Sequence, residues 1–288
     1  MKNKHCPVCN GNKYKALFKV FKRHGRFVTN KGKRYLYLQC DRCKTLFLDV
    51  DGLGNNFFEE LYLSEYYKRG TAVQTVFESF LTSLSNKIQS AILLSYCKNR
   101  KIRMAVLDIG CGEGNFLKGL NKNNFIRYGL DLKNNKSVDS FNEIQVYRGD
   151  FLTTKFKRKF DVIVLLHVLE HLRDPVKVLR KAETLLNPKG IIILSTPNTG
   201  SIGFRLGRQN WFHLDPPYHV VLFNENNMKL ICKRIGLKVL GIKNDFYQFP
   251  LDLYWSLKGM RNKFLYYIFY PVMKVVSREC LTYVIVRK

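Results

Sequence analysis

Three groups of residues in this 288-residue chain have the types and spacing to do chemistry. The first is sulfur. Cys6-Pro-Val-Cys9 and Cys40-Asp-Arg-Cys43 are two CxxC pairs. Each pair sets two thiolates on one tight turn. Two such turns make a four-sulfur cage, the geometry Zn²⁺ accepts in closed structural sites. A redox pair or two disulfides are the alternatives. The first needs a thioredoxin-like setting and the second an oxidising compartment. The second group is a glycine turn, Gly110, Cys111, Gly112, Glu113, Gly114, which lets a ligand approach backbone N–H groups at a helix start. The third is histidine. His167 and His171 flank Glu170 in "HVLEHL", and His213 and His219 lie in "NWFHLDPPYHVVLF", residues 210–223. That stretch is either a kinked core segment or the wall of a reaction site.

These residues need elements to hold them. "RMAVLDIGCGEGNFLKGL" reads as a buried strand over 104–109, a glycine turn and a helix from about Asn115. The spacing is G-x-G-x-G, not the G-x-G-x-x-G of dinucleotide sites. "FIRYGLDLK" is a second strand ending in Asp131, where a carboxylate can accept from both hydroxyls of a ribose. "IQVYRGDF" is a third, ending in Asp150-Phe151, placed to meet an adenine. "FDVIVLLHVLEHL" is a fourth, running into a loop and helix, and "GIIILSTPN" a fifth. Strands alternating with helices predict a parallel, doubly wound α/β sheet, whose ligands sit beyond the carboxyl ends of the strands. Every motif in these strand units falls at such an end.

The flanks are less regular. "YKALFKVFKR" and "KRYLYLQC" read as strands of a ribbon module over 1–52, closed by "DVDGLGNN". Linking helices follow over 53–100. Tyr62, Tyr66 and Tyr67 fall in the first, and the second has apolar residues at 73, 76, 77, 80, 81, 84 and 88. Asn224 is a candidate N-cap for the helix after the 210–223 stretch. An aromatic, basic, proline-broken helical insert is expected at about 247–277, before a last strand. It suits core packing, a dimer face or an anionic membrane surface.

The formal net charge is +27. Residues 1–50 hold 13 Lys and Arg against 2 Asp and Glu, so the module is the most basic piece. This is either a solvated basic surface or a face for an anionic partner. No apolar run approaches the roughly 20 residues of a spanning helix, and the first residues are polar and basic. A cytoplasmic protein, possible at the inner membrane face as a peripheral one, is the expectation.

The motifs "VLDIGCGEGNFL", "GLD", "GDF" and "FDVIVLLHVLEHLRDPVKVLRKAETLLNPKGIIILSTPN" together resemble class I S-adenosylmethionine-dependent methyltransferases, over roughly residues 75–288. The resemblance implies a Rossmann-like methyltransferase sheet over 101–288 with a small N-terminal zinc ribbon. It implies that Gly110, Cys111, Gly112 and Gly114 border the methionine part of the cofactor and that Asp108 helps position its amino group. Asp131 with Leu132 would hold the ribose, Asp150 with Phe151 the adenine, and His167 would line the site. In the family, the loop after the fifth strand carries acceptor contacts. That makes His219 the candidate base, with His171 and Glu170 beside it, and Trp211 and Tyr218 candidates for stacking on a sugar ring. The cysteine module resembles that of bacterial sugar C-methyltransferases, which are longer by an extra carboxy-terminal domain, and that of shorter relatives of surface-polysaccharide pathways. The expected acceptor is a sugar, nucleotide-sugar or lipid-linked glycan. The alternative is RNA, with the basic zinc module docking it; no "NPPY"-type motif follows the fourth strand to hold a flipped base.

Overall fold

The computed structural model describes residues 4–21, 23–24, 27–28, 34–51, 53, 57, 76–97, 103–132, 143–245, 252–257, 272–273 and 275–288. Apart from residue 57, the first linking helix with Tyr62, Tyr66 and Tyr67 lies outside these residues. So does most of the insert at 247–277. Of that insert, Asp252–Ser256 is helical.

Alternating apolar runs build the central sheet. Its strands are β6 (Met104–Ile109), β7 (Phe125–Asp131), β8 (Ile144–Arg148), β9 (Phe160–Leu166), β10 (Leu186–Pro197), β12 (Leu237–Asn244) and β13 (Cys280–Arg287). They lie in the order β12-β13-β10-β9-β6-β7-β8. β6 is buried along its whole length, as a strand covered on both faces must be. The chain runs outward from β6 to β8, then returns to lay β9 against the other side of β6. That reversal opens a crevice beyond the carboxyl ends of β6 and β9. The five strands read from the sequence, β6 to β10, run parallel as expected, and the sheet extends beyond them. β13 is antiparallel to both β10 and β12. The third strand also stops at Arg148, so Asp150 and Phe151 sit in the turn after it.

The helices supply the covering layers. α1 (Val76–Cys97) packs Ile92 and Leu93 against Val106, Val162, Val164 and Val284. Fully burying each such side chain contributes about 1.5–3 kcal/mol. α2 is the short turn Asn115–Lys118. α3 (Pro175–Thr184) starts with Pro175 after the N-cap Asp174, whose carboxylate accepts from the Lys177 amide at 3.1 Å. α4 is Ile202–Gly207. α5 (Glu225–Arg234) opens on a reciprocal cap between Asn224 and Asn227, as Asn224 predicts. A third short helix, α6, is Asp252–Ser256.

The amino-terminal module is a small antiparallel sheet of β1 (Tyr14–Phe21), β4 (Arg34–Cys40) and β5 (Leu46–Leu48), beside a hairpin of β2 (Arg23–His24) and β3 (Phe27–Val28). Its sheet gains a fourth strand from far along the chain. β11 (Val221–Leu222) pairs Leu222 with Leu46 and Val221 with Phe47. One buried cluster then runs from Val8, Tyr37 and Leu48 through Val220 and Phe223 to Leu165 and Leu194. The module is therefore built onto the sheet domain through the 210–223 stretch.

Candidate active site

The glycine turn is shaped by its backbone. Gly110, Gly112 and Gly114 have φ of 71°, 51° and 74°, the left-handed region that side chains resist. A Cβ on Gly110 would stand 2.6 Å from Val168 Cγ2, in the loop after β9. A Cβ on Gly112 would meet nothing within 4 Å, so that residue borders open space. Its amide donates to Asp131 Oδ2 at 2.8 Å, which ties the turn to the end of β7. Gly110→Ala should therefore destabilise the chain by about 2 kcal/mol or more, from strain plus the Val168 contact. Gly112→Ala should cost about 1 kcal/mol, from strain alone. Denaturant midpoints of the two variants check this. Equal losses would remove the argument for a packed Gly110–Val168 contact.

Asp108 lies beneath the turn, 4% exposed. Burial pushes its carboxyl up to about 8, and the charge of Asp131 adds to the rise. Cys111 contributes backbone only. Its amide donates to the Leu130 carbonyl, and its sulfur turns into the core under Gly129, where an added Cβ would lie 2.7 Å away. Leu132 is 37% exposed beside the buried Asp131. Asp150 closes its own turn by accepting from the Leu152 amide at 2.7 Å. Phe151 is buried, 5.9 Å from the Phe156 ring, with the Lys181 ammonium 5.2 Å from its face.

Beyond β9 the histidines form two neighbouring clusters. His167, itself at φ 54°, stands between two carboxylates. Its Nδ1 is 3.3 Å from Glu170 Oε1 and its Nε2 is 3.5 Å from Asp245 Oδ2. Burial alone would lower its pKa, but Asp245 and Glu170 outweigh that and hold it at about 9. Burial would raise Glu170, yet His167, with lesser help from His171 and His219, keeps it ionised at about 2. His171 is pushed down to about 4, first by burial and then by His219. Its Nδ1 donates to the Tyr218 carbonyl at 3.0 Å. The half-buried His219 donates from Nδ1 to the His213 carbonyl at 2.7 Å. The His171 and His219 rings meet edge to face at 4.8 Å. Glu170, His171 and His219, all singled out by the sequence, thus come together at the end of β9.

The sequence did not single out Asp245, just past β12, although an acidic residue at a strand's carboxyl end was a readable signal. Asp245 also accepts from Gln89 of α1 at 3.1 Å, and Gln89 bonds the Ser195 and Thr282 hydroxyls. The stacking role considered for two aromatic residues is corrected. Trp211 and Tyr218 are fully buried, and the indole N–H of Trp211 donates to Glu279 at 2.7 Å. His213 is buried too, its Nε2 3.4 Å from Asp252 and 3.6 Å from Cys280 Sγ. Burial lowers it to about 4 despite Asp252. The 210–223 stretch, which carries a cis Pro216–Pro217 bond, is thus a packed wall with His219 at its open side.

The four cysteines meet as their spacing predicts. Cys6, Cys9, Cys40 and Cys43 place their sulfurs within 4.8 Å of one another. The Cys6–Cys43 and Cys9–Cys40 sulfurs are 3.5 Å apart, and all four cysteines are unbridged. The edge of a ZnS₄ tetrahedron at about 2.3 Å per bond is about 3.8 Å, so the cage fits zinc closely. The two turns match. Asn10 and Lys44 each follow a second cysteine at φ 60°, and each donates its amide to the carbonyl of the first. Tyr37 of β4 donates its hydroxyl to the His219 carbonyl at 2.7 Å, which links this module to the histidine cluster.

The ubiquinone biosynthesis O-methyltransferase of Histophilus somni (strain 2336) is 32% identical over 108 residues, 32% of this chain and 44% of that protein. Its namesake from Coxiella burnetii (strain Dugway 5J108-111) is 31% identical over 101 residues, 32% of this chain and 43% of that protein. The chain thus spans less than half the length of these curated relatives. Among solved structures, magnesium protoporphyrin IX methyltransferase from Synechocystis PCC 6803 with bound SAH superposes with a TM-score of 0.57 at 14% identity, over 82% of this chain and 100% of that one. The plantazolicin methyltransferase BpumL, with SAH and a monoazolic desmethylPZN analog, gives 0.55 at 17% identity, over 80% and 93%. At such identities the likeness is one of fold. The Methyltransferase domain family matches residues 80–241, more than half of the chain. Because that span carries the glycine turn and the strand ends that follow it, the chain belongs to the Methyltransferase domain family.

Proposed function

We propose that the chain transfers the methyl group of S-adenosylmethionine to a hydroxyl oxygen of a small-molecule acceptor, and that Cys6, Cys9, Cys40 and Cys43 hold a structural Zn²⁺. The observation that carries the reading is the Gly112–Asp131 link. It sets an acidic strand end beside a left-handed glycine that borders open space. Those residues fit an adenosyl ligand with a cationic amino-acid tail. When bound, the cofactor supplies a methyl already activated on a sulfonium. The chain's own work is then to hold the acceptor in line and keep water out. Asp131 would hold the ribose, Asp108 would face the amino group, and the Glu170–His171–His219 cluster would meet the acceptor.

The acceptor class rests on the names of the curated relatives, which are O-methyltransferases of ubiquinone biosynthesis. They favour a hydroxyl acceptor, without distinguishing a phenol from the nucleotide-sugar or lipid-linked glycan read from the cysteine module. One observation favours an acceptor held at a membrane. Val272, Val275 and Val276, in the carboxy-terminal insert, are 64%, 54% and 56% exposed. Among the described residues no helix is long and apolar enough to cross a membrane, so such contact would be peripheral.

The test has two steps. Calorimetry with S-adenosylhomocysteine should show one site per chain, and Asp131→Ala should weaken it at least 10-fold. No binding by the wild type would sink the reading. Labelled S-adenosylmethionine is then offered with lipid extract, pooled nucleotide-sugars or total RNA. Label in the lipid or sugar pool supports a small hydroxyl acceptor. Label in RNA alone overturns it and turns the basic module into a docking face.

A further inference from the structure

We infer that Asp245 is a positioning residue of the acceptor side: from across the crevice it clamps the His167 side chain and so sets the loop after β9 that holds His219. Only its effect on turnover rests on the methyl-transfer reading.

His167 is the joint of that loop. It follows β9 directly and turns with φ 54°, a left-handed conformation that costs a side chain roughly 1–2 kcal/mol. Its amide donates to the Ser195 carbonyl of β10 at 2.9 Å. Its ring lies between Glu170 Oε1 at 3.3 Å and Asp245 Oδ2 at 3.5 Å. Glu170 belongs to the same loop and moves with it, whereas Asp245 does not. Asp245 is itself buried at the end of β12, and it accepts from the Gln89 side chain of α1 at 3.1 Å. The same Gln89 amide lies within hydrogen-bond reach of the Ser195 hydroxyl on β10 and the Thr282 hydroxyl on β13. Asp245 thus pins the loop to a network shared by α1, β10, β12 and β13.

Two hydrogen bonds carry the loop's position onward. The Val220 amide donates to the Glu170 carbonyl at 2.7 Å, and His171 Nδ1 donates to the Tyr218 carbonyl at 3.0 Å. They grip the wall on either side of His219, whose ring meets that of His171 at 4.8 Å. Val168, next to His167, stands over Gly110 of the glycine turn. The loop therefore borders both the acceptor wall and the cofactor turn.

Charge gives a reason for a second carboxylate. Glu170 and the His167 imidazolium already make a neutral pair. Asp245 adds a negative charge in a buried place, which is costly unless a positive charge completes it. The other titratable groups facing the triad are His171 on the loop, and His219 and His213 on the wall, with Asp252 behind His213. His171 and His213 are pushed down to about 4, chiefly by burial, and stay neutral. In the proposed transfer, the acceptor oxygen gains the methyl and the C–S pair stays on the cofactor sulfur. The hydroxyl proton passes to Nε2 of His219, the ring nitrogen that does not bond the His213 carbonyl. That proton would balance Asp245.

The test follows the imidazoles of the full chain by ¹⁵N nuclear magnetic resonance, with His167 assigned from His167→Gln, alongside turnover and S-adenosylhomocysteine binding. In the wild type His167 should lose its second proton only near pH 9. Asp245→Asn removes one of the carboxylates that raise it, so that step should move down by about one pH unit or more. The His171 and His219 resonances should shift with it. kcat should fall about 10-fold or more, with KM and S-adenosylhomocysteine affinity held within about 2-fold. Asp245→Glu should recover part of the loss. If Asp245→Asn misfolds, Gln89→Ala should move the same resonances by less. An unchanged His167 titration overturns the clamp. A shifted titration with unmoved His171 and His219 resonances, or with full kcat, overturns the positioning role. If the wild type methylates no acceptor, the transfer reading fails, and the three imidazole resonances still decide whether Asp245 sets the loop.

Discussion

Stripping the proposed Zn²⁺ from the four-cysteine cage should abolish the proposed methyl transfer while most of the central sheet survives. The reason is the route from sulfur to His219. The cage joins the turn before β1 to the turn after β4, which lie at the same end of that antiparallel pair, and β5 follows directly from the second turn. β5 is three residues long and β11 is two, so their own ladder is weak. Yet this edge positions the wall of the site. The Leu48 amide donates to the Val220 carbonyl at 2.8 Å, and the Tyr37 hydroxyl donates to the His219 carbonyl at 2.7 Å. Structural zinc contributes on the order of 10 kcal/mol to small modules that fold around it. Losing it releases the ribbon, then β11, then His219. Hydrogen exchange across residues 218–223 and limited proteolysis of the first 50 residues should both rise when the metal leaves, and Cys9→Ser should reproduce the effect. Tyr37→Phe is the mild counterpart: it removes one hydrogen bond, worth about 1 kcal/mol, and should lower activity without releasing metal. Full activity in a zinc-free chain would show that the module does not hold the wall.

The same route marks the limit of what the sequence reveals. The glycine turn, Asp131 and the Asn224 cap were legible because each depends on a few neighbouring residues. The cysteine cage was legible because two short spacings repeat. Nothing local says that Leu46 will pair with Leu222, since a two-residue strand has no periodicity of its own. Nor does periodicity give the direction of β13, whose apolar run suits either orientation in a buried sheet. Trp211 and Tyr218 looked equally suited to a ligand or a core. Glu279 decides for Trp211, because its carboxylate at the foot of β13 takes the indole N–H, the Gly203 amide and the Ser201 hydroxyl inside the protein. Asp245 was missed for a related reason. Its meaning comes from His167 across the crevice, a partner far away in sequence.

Asp108→Asn should make the cofactor-free chain more stable relative to wild type as pH rises, and should weaken S-adenosylmethionine binding. The folded carboxyl is raised from 3.8 to about 8, first by burial and then by Asp131. A raised carboxyl pKa means the folded state holds a proton that the unfolded state has released. Stability from this group is full below about 3.8, falls as pH rises through the window, and levels off above about 8. The slope is about 1.4 kcal/mol per pH unit, on the order of 5 kcal/mol in all. Asparagine holds no such proton. The wild-type-minus-variant difference in unfolding free energy should therefore be flat below pH 4 and move steadily against the wild type up to pH 8. The cofactor supplies the reason to keep the aspartate. A cationic amino group placed beside Asp108 favours the ionised carboxyl, so binding near pH 7 should release close to one proton. Calorimetry in phosphate and in Tris would read that proton as a difference in apparent binding enthalpy, present in the wild type and lost in Asp108→Asn. Equal buffer dependence in the two proteins would mean Asp108 does not face the amino group. A stability gain without a loss of affinity would make its burial a feature of packing alone. A gain in stability coupled to lost affinity and lost proton release would show that the chain holds a strained carboxyl for the cation it binds.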